Sequence, residues 1–141
     1  MYEVRIQRES AWIDFVLAGA VTLEEMRSFI DELEAATVSL KGLPIKIRAD
    51  VRDLHPANAE VAQMIQSIQT FGLGCGVHRV AEVVESDTLA QQLNALAQQS
   101  GTDAILRRFW DEDSARDWLF EASSAPAASG VPDAPRSMPN T

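Results

Sequence analysis

Val4 and Ile6 alternate with Glu3, Arg5 and Gln7, and this period of two predicts a strand with one buried face. The segment Arg8-Glu9-Ser10 reads as a turn, and Trp12 to Leu17 returns as a second strand, so the chain opens on an antiparallel hairpin. After Gly19 the period changes to that of a helix. Thr22 is placed to cap it, with Glu25 three residues on at the spacing of a capping box and Val21 and Met26 flanking as a hydrophobic staple. Leu23, Met26, Ile30 and Leu33 then form the expected core stripe. Ile45, Ile47, Ala49 and Val51 alternate with Lys46, Arg48 and Asp50 as a third strand. Val61, Met64, Ile65 and Ile68 mark a second helix, with Gly72 as its expected stop. The stretch HRVAEVVES is a fourth strand, nearly continuous in Val80, Ala81, Val83 and Val84, as suits a strand covered on both faces. Ser86 or Asp87 opens a third helix through Leu89, Leu93, Leu96 and Ala97. Ile105 to Phe109 is a fifth strand, and Asp111 opens a last helix that turns Ala115, Trp118 and Leu119 inward.

The order β-β-α-β-α-β-α-β-α predicts an α/β domain over residues 1–121. Strands separated by single helices pair in parallel through right-handed crossovers, while the opening hairpin is antiparallel, so the single sheet is mixed. From Ala122 the composition changes: four of the six prolines fall in the last twenty residues, without apolar periodicity, which predicts a disordered tail over 122–141.

Composition narrows the partners. The chain has 141 residues, 46% of them hydrophobic, enough for one continuous core. Its 12 basic residues are scattered among 21 acidic ones, for a net charge of -9. Such a surface repels phosphate backbones and anionic headgroups, so neither nucleic acid nor a membrane surface is an expected partner. A protein partner, a second copy of the chain or an apolar small molecule remains. No apolar run is long enough to span a bilayer, and the alternating N-terminus lacks the apolar stretch of a signal peptide. The lone Cys75 forms no internal disulfide, and a cytoplasmic location is expected.

Three segments, IKIRADVRDL, HRVAEVVES and FWDEDSARDWL, together with the element order, resemble the STAS domains and more narrowly the SpoIIAA-like group, named after an anti-sigma factor antagonist. The resemblance runs from about Tyr2 to Leu119. It implies a non-enzymatic domain that works by contact with a protein. In the antagonists of this group, a serine or threonine at the start of the helix after the third strand is phosphorylated and switches partners. The matching stretch here is HPANAE, where Ala57, Asn58 and Ala59 carry no hydroxyl. Phosphorylation acts there by adding close to two negative charges at a helix N-terminus, and this chain has no acceptor for it. A neighbouring branch of similar architecture binds apolar ligands and lipids, and a small-molecule module of that kind is the alternative.

Asp50, Asp53 and His55 crowd the turn after the third strand, the end of an open α/β sheet where ligands gather. Two carboxylates and an imidazole would perturb one another's ionisation, yet no nucleophile accompanies them. Asp53 or Asn58 as a cap, with Pro56 early in the helix, accounts for the same residues structurally. Asp50, Asp53, His55 and Asn58 are therefore read as a docking surface for a partner or ligand. The glycines of GLGCGVHR precede a strand, the reverse of a dinucleotide fingerprint, and read as a helix stop with a flexible connection. Cys75, His78 and His55 are too few for a zinc site, and neither a metal nor a cofactor is expected. Trp12 alternates with Ile13 and is expected exposed on the opposite sheet face, where the hairpin could pair with a second chain as a homodimer.

Overall fold

The computed structural model describes residues 1–121, so the tail expected over 122–141 lies outside the described residues. Strands β1 (Tyr2–Gln7) and β2 (Trp12–Leu17) form the hairpin, joined by one 3-10 turn at Arg8–Ser10. Then follow α1 (Leu23–Ser39), β3 (Ile45–Asp50), α2 (Ala59–Cys75), β4 (Val77–Val83), α3 (Asp87–Ser100), β5 (Leu106–Phe109) and α4 (Glu112–Leu119). A second 3-10 turn, Thr102–Ile105, leads into β5. The predicted order and mixed sheet are thus those observed.

The sheet runs β1-β2-β3-β4-β5, antiparallel only in its first pair. Each crossover steps one strand in the same direction, and crossovers of one hand then stack their helices on one face. On that face α1, α2 and α3 cover Ile13, Leu17, Ile45, Ile47 and Ala49 in the main core. Among the described residues no strand follows α4, and this helix takes the other face. There Ala115, Trp118 and Leu119 close a smaller core over Ala81, Val83 and Phe109.

Every helix start is fixed by its own residue. Thr22, Asn58, Ser86 and Asp111 each accept a hydrogen bond from the backbone N–H three residues on. Glu25 does not complete the capping box: its carboxylate lies 2.6 Å from the Met1 ammonium. The α1 stripe is also rotated from the expected one. Phe29 is fully buried while Leu23 and Ile30 are half-buried, because the Phe29 ring meets Phe15 and Tyr2 edge-on, at 4.9 and 5.7 Å.

Two further expectations are corrected. Gly72 does not end α2; it lies inside the helix where it passes β4, and a Cβ there would come 3.2 Å from Val77 Cγ2. The helix ends at Gly76, at φ 96°, and β4 begins on the next residue, so no flexible connection intervenes. Trp12 does sit on the face opposite Ile13, but it is only 9% exposed. Phe120, just past α4, packs edge-on at 5.1 Å, and the Arg48 and Arg116 guanidinium groups lie 5.1 and 5.9 Å from the ring. The exposure of Trp12 that suggested a hairpin dimer is not found.

Candidate functional site

The turn between β3 and α2 is held at several points. Leu54 N–H donates to the Val51 carbonyl, Gly19 N–H to Asp53, and His55 N–H to Gly19, stitching the turn to the β2–α1 connection. One amide of α3 clamps it from the other side: Gln92 Oε1 accepts from Ala57 N–H at 2.9 Å and Gln92 Nε2 donates to the Ala57 carbonyl at 2.7 Å. Asn58 Oδ1 accepts from Val61 N–H at 2.9 Å, which settles the cap in favour of Asn58 and leaves Pro56 ahead of the helix. These bonds tie down the backbone, while Asp53, His55, Pro56 and Asn58 are exposed. Beside them a crevice of about 150 Å³ opens between the N-termini of α1 and α2, lined by Val21 and Met26 and by His55, Ala57, Asn58 and Val61.

Asp50 belongs elsewhere. Alternation along β3 turns it to the opposite face, where Arg52 grips it in two parallel contacts, Nε to Oδ1 at 3.0 Å and Nη2 to Oδ2 at 2.7 Å. Arg52 also holds Glu112 of α4 at 2.7 Å, and Arg48 makes a second fork with Asp14 at 3.0 and 2.8 Å. Hydrogen bonds from Arg52 keep the Asp50 carboxyl below the usual carboxylate range despite partial burial, and the same bonds to Asp50 and Glu112 raise the Arg52 guanidinium. An acid and base pair of Asp50 with His55 is therefore not assembled; the lattice fastens α4 to β2 and β3. Trp12 is farther still, at the start of β2 opposite Lys46. Of the five residues read from the sequence, His55 and Asn58 line the crevice and Asp53 adjoins it along the turn.

Cys75 is buried at the end of α2 and His78 is exposed at the start of β4, at the strand end opposite His55. Among the described residues no group of three or more His, Cys, Asp or Glu is placed to hold a metal ion. No helix among them is long and apolar enough to cross a membrane.

Sequence reading missed a charge pair in the main core. Glu82 on β4 and Arg108 on β5 stand opposite one another in register and are 6% and 5% exposed. Glu82 Oε1 lies 2.9 Å from Arg108 Nε in a buried ion pair, and Arg108 Nη2 has no hydrogen-bond partner among the described residues. Arg108 Nη1 reaches Asn94 Oδ1 of α3 at 3.2 Å. Burial pushes the Glu82 carboxyl up, and the Arg108 charge opposes that shift. The signal was a glutamate interrupting the apolar run VAEVV, but its partner depends on strand register. Glu82 also lines a cavity of about 90 Å³ beneath α2, walled by Phe29, Ala49, Ile68 and Leu93.

The model of the SpoIIAA-like family matches residues 12–120. Among solved structures, this fold is similar to an uncharacterized protein of the DUF3478 family with a SpoIIAA-like fold from Shewanella loihica PV-4. The TM-score is 0.65 at 20% identity, covering 84% of this chain and 93% of that one. No curated protein matches the sequence.

Proposed function

The chain belongs to the SpoIIAA-like family, and from that premise we propose that it is a non-enzymatic cytoplasmic interaction domain whose contacts form at the β3–α2 turn. One observation carries the reading: the turn's backbone is fixed by Gly19, Gln92 and the Asn58 cap, while Asp53, His55 and Pro56 are exposed beside a crevice. A surface that is already ordered loses little entropy on binding. With Ala57, Asn58 and Ala59 in place of a phosphoacceptor, its contacts are not switched by phosphate at that position. The test is a photo-crosslinking amino acid placed at His55 or, as a control, at Lys41 at the other end of the sheet. A covalent partner should form from His55 only, and should be lost on Asp53→Arg. Adducts of equal yield from both positions would remove the turn as the contact surface.

A second reading is favoured by a separate observation, the cavity of about 90 Å³ under α2. On this reading the domain binds a small apolar molecule in its core. Co-purified ligand in a native mass spectrum of the full chain is its direct check.

A further inference from the structure

Beyond the contact surface at the β3–α2 turn, we infer that the outer edge of β1 pairs antiparallel with the β1 of a second copy of this chain, about a two-fold axis at Val4. β1 is a terminal strand of the sheet. Its ladder with β2 runs without a register shift from Tyr2 opposite Leu17 to Gln7 opposite Trp12. Ala18 N–H donates to the Met1 carbonyl at 2.9 Å and the Met1 ammonium to the Ala18 carbonyl at 3.0 Å. In an antiparallel ladder such bonded pairs alternate with unbonded ones, so Glu3, Arg5 and Gln7 direct their backbone groups to β2. Tyr2, Val4 and Ile6 turn theirs outward. Edge strands are commonly kept from other chains by a proline, a bulge or repelling charge. β1 has no proline and no bulge, and its charges attract a copy of itself.

Charge selects the register. With Val4 opposite the partner's Val4, Tyr2 lies opposite the partner's Ile6, and each pair exchanges both backbone hydrogen bonds. Glu3 then stands opposite the partner's Arg5, and Arg5 opposite the partner's Glu3, at the unbonded positions where side chains come closest. A slip of one pleat in one direction sets Glu3 against Glu3, and in the other it sets Arg5 against Arg5. Like charges directly opposed are destabilising. Within one chain the Glu3 and Arg5 side chains, 59% and 63% exposed, meet only at 3.8 Å. Asp14, opposite Arg5 on β2, is already gripped by Arg48. On the other face Ile6, 38% exposed, gains cover from the partner's Tyr2. Trp12 takes no part, and a two-fold pairing of this kind closes on itself.

Sedimentation equilibrium of the full chain is the test, taken to about 1 mM because contacts this small are weak. The mass should rise from 15.5 kDa to twice that value and stop. Glu3→Arg and Arg5→Glu, each made alone, replace the attractive cross-strand charge pairs by repulsive ones and should weaken the dimer about tenfold or more. Mixed together, the two variants should pair with each other, since one strand is then doubly basic and the other doubly acidic. Both changes in one chain should restore the unaltered affinity, and these two rescues show that the single variants are folded. A chain that stays monomeric at the highest concentration overturns the proposal, and so does a dimer that withstands both single reversals. A mass that keeps growing with concentration would mean open pairing of β1 with β5, and equally overturns the closed pair. None of these outcomes bears on cross-linking from His55, which tests the turn separately.

Discussion

Asp50 and Asn58 show how one turn can hold residues with unrelated tasks. Asp50 is tied to Arg52, and its folded ionisation constant lies below the unfolded one, taken as 3.8. Its contribution to stability is therefore present above that pH and is lost as pH falls through the depressed folded value. Asp50→Asn should lower the melting temperature at neutral pH, and its loss of stability below about pH 4 should be shallower than that of the unaltered protein. Equal acid slopes would show that Arg52 does not stabilise the charged form. Asn58 has a local task, since it satisfies Val61 N–H at the start of α2. Asn58→Ala should cost about 1 kcal/mol, or about 4 °C in melting temperature for a domain of this size. Thermal unfolding by circular dichroism is the check. Both residues could be picked out in the sequence, but not their division of labour. Alternation along β3 places Asp50 on a definite face, yet the pairing with Glu112 depends on where α4 comes to rest.

At the scale of elements, α4 is the shortest α-helix among the described residues, yet it alone covers the second face of the sheet. Its eight residues, too few for a stable isolated helix, are held by Trp118, Leu119 and Ala115 against Phe109 and Val83. The Arg79 guanidinium lies 4.8 Å from the Trp118 ring and donates to the Trp118 carbonyl. Trp118→Ala should destabilise the protein by about 3–5 kcal/mol, in the range for a buried aromatic, measured by denaturant unfolding. A loss under 1 kcal/mol, the scale of an ordinary surface change, would mean that α4 contributes little to the fold. The inward face of α4 was legible from its spacing. That this face covers β3, β4 and β5, and that Phe120 beyond it roofs Trp12, was not, because no periodic signal says which side of a sheet the last helix takes. The α2 boundary shows a different limit. Gly72 and Gly76 are alike in sequence; the first permits a close approach to Val77 and the second a left-handed turn.

For the whole molecule, the sheet is the common wall of two cores, so the α1–α3 layer and the α4 layer should unfold together. Trp12 and Trp118 are buried on the α4 side, and their fluorescence follows that layer, while far-ultraviolet circular dichroism follows all the helices. The two midpoints in denaturant are expected to coincide; an earlier fluorescence transition would show α4 melting on its own. Order and alternation, and through them the mixed sheet, were determined by sequence alone, as were the caps Thr22 and Asp111, because each rests on contacts within about four residues of chain, the reach of a helical turn or a strand pleat. Only the tertiary structure decided that Asp50 and His55 part company, that Glu82 meets Arg108, and that a cavity remains beneath α2. Those outcomes depend on strand register and on how well side-chain volumes fill the space between layers. Both are set by residues far apart in the chain, and a local pattern does not record them.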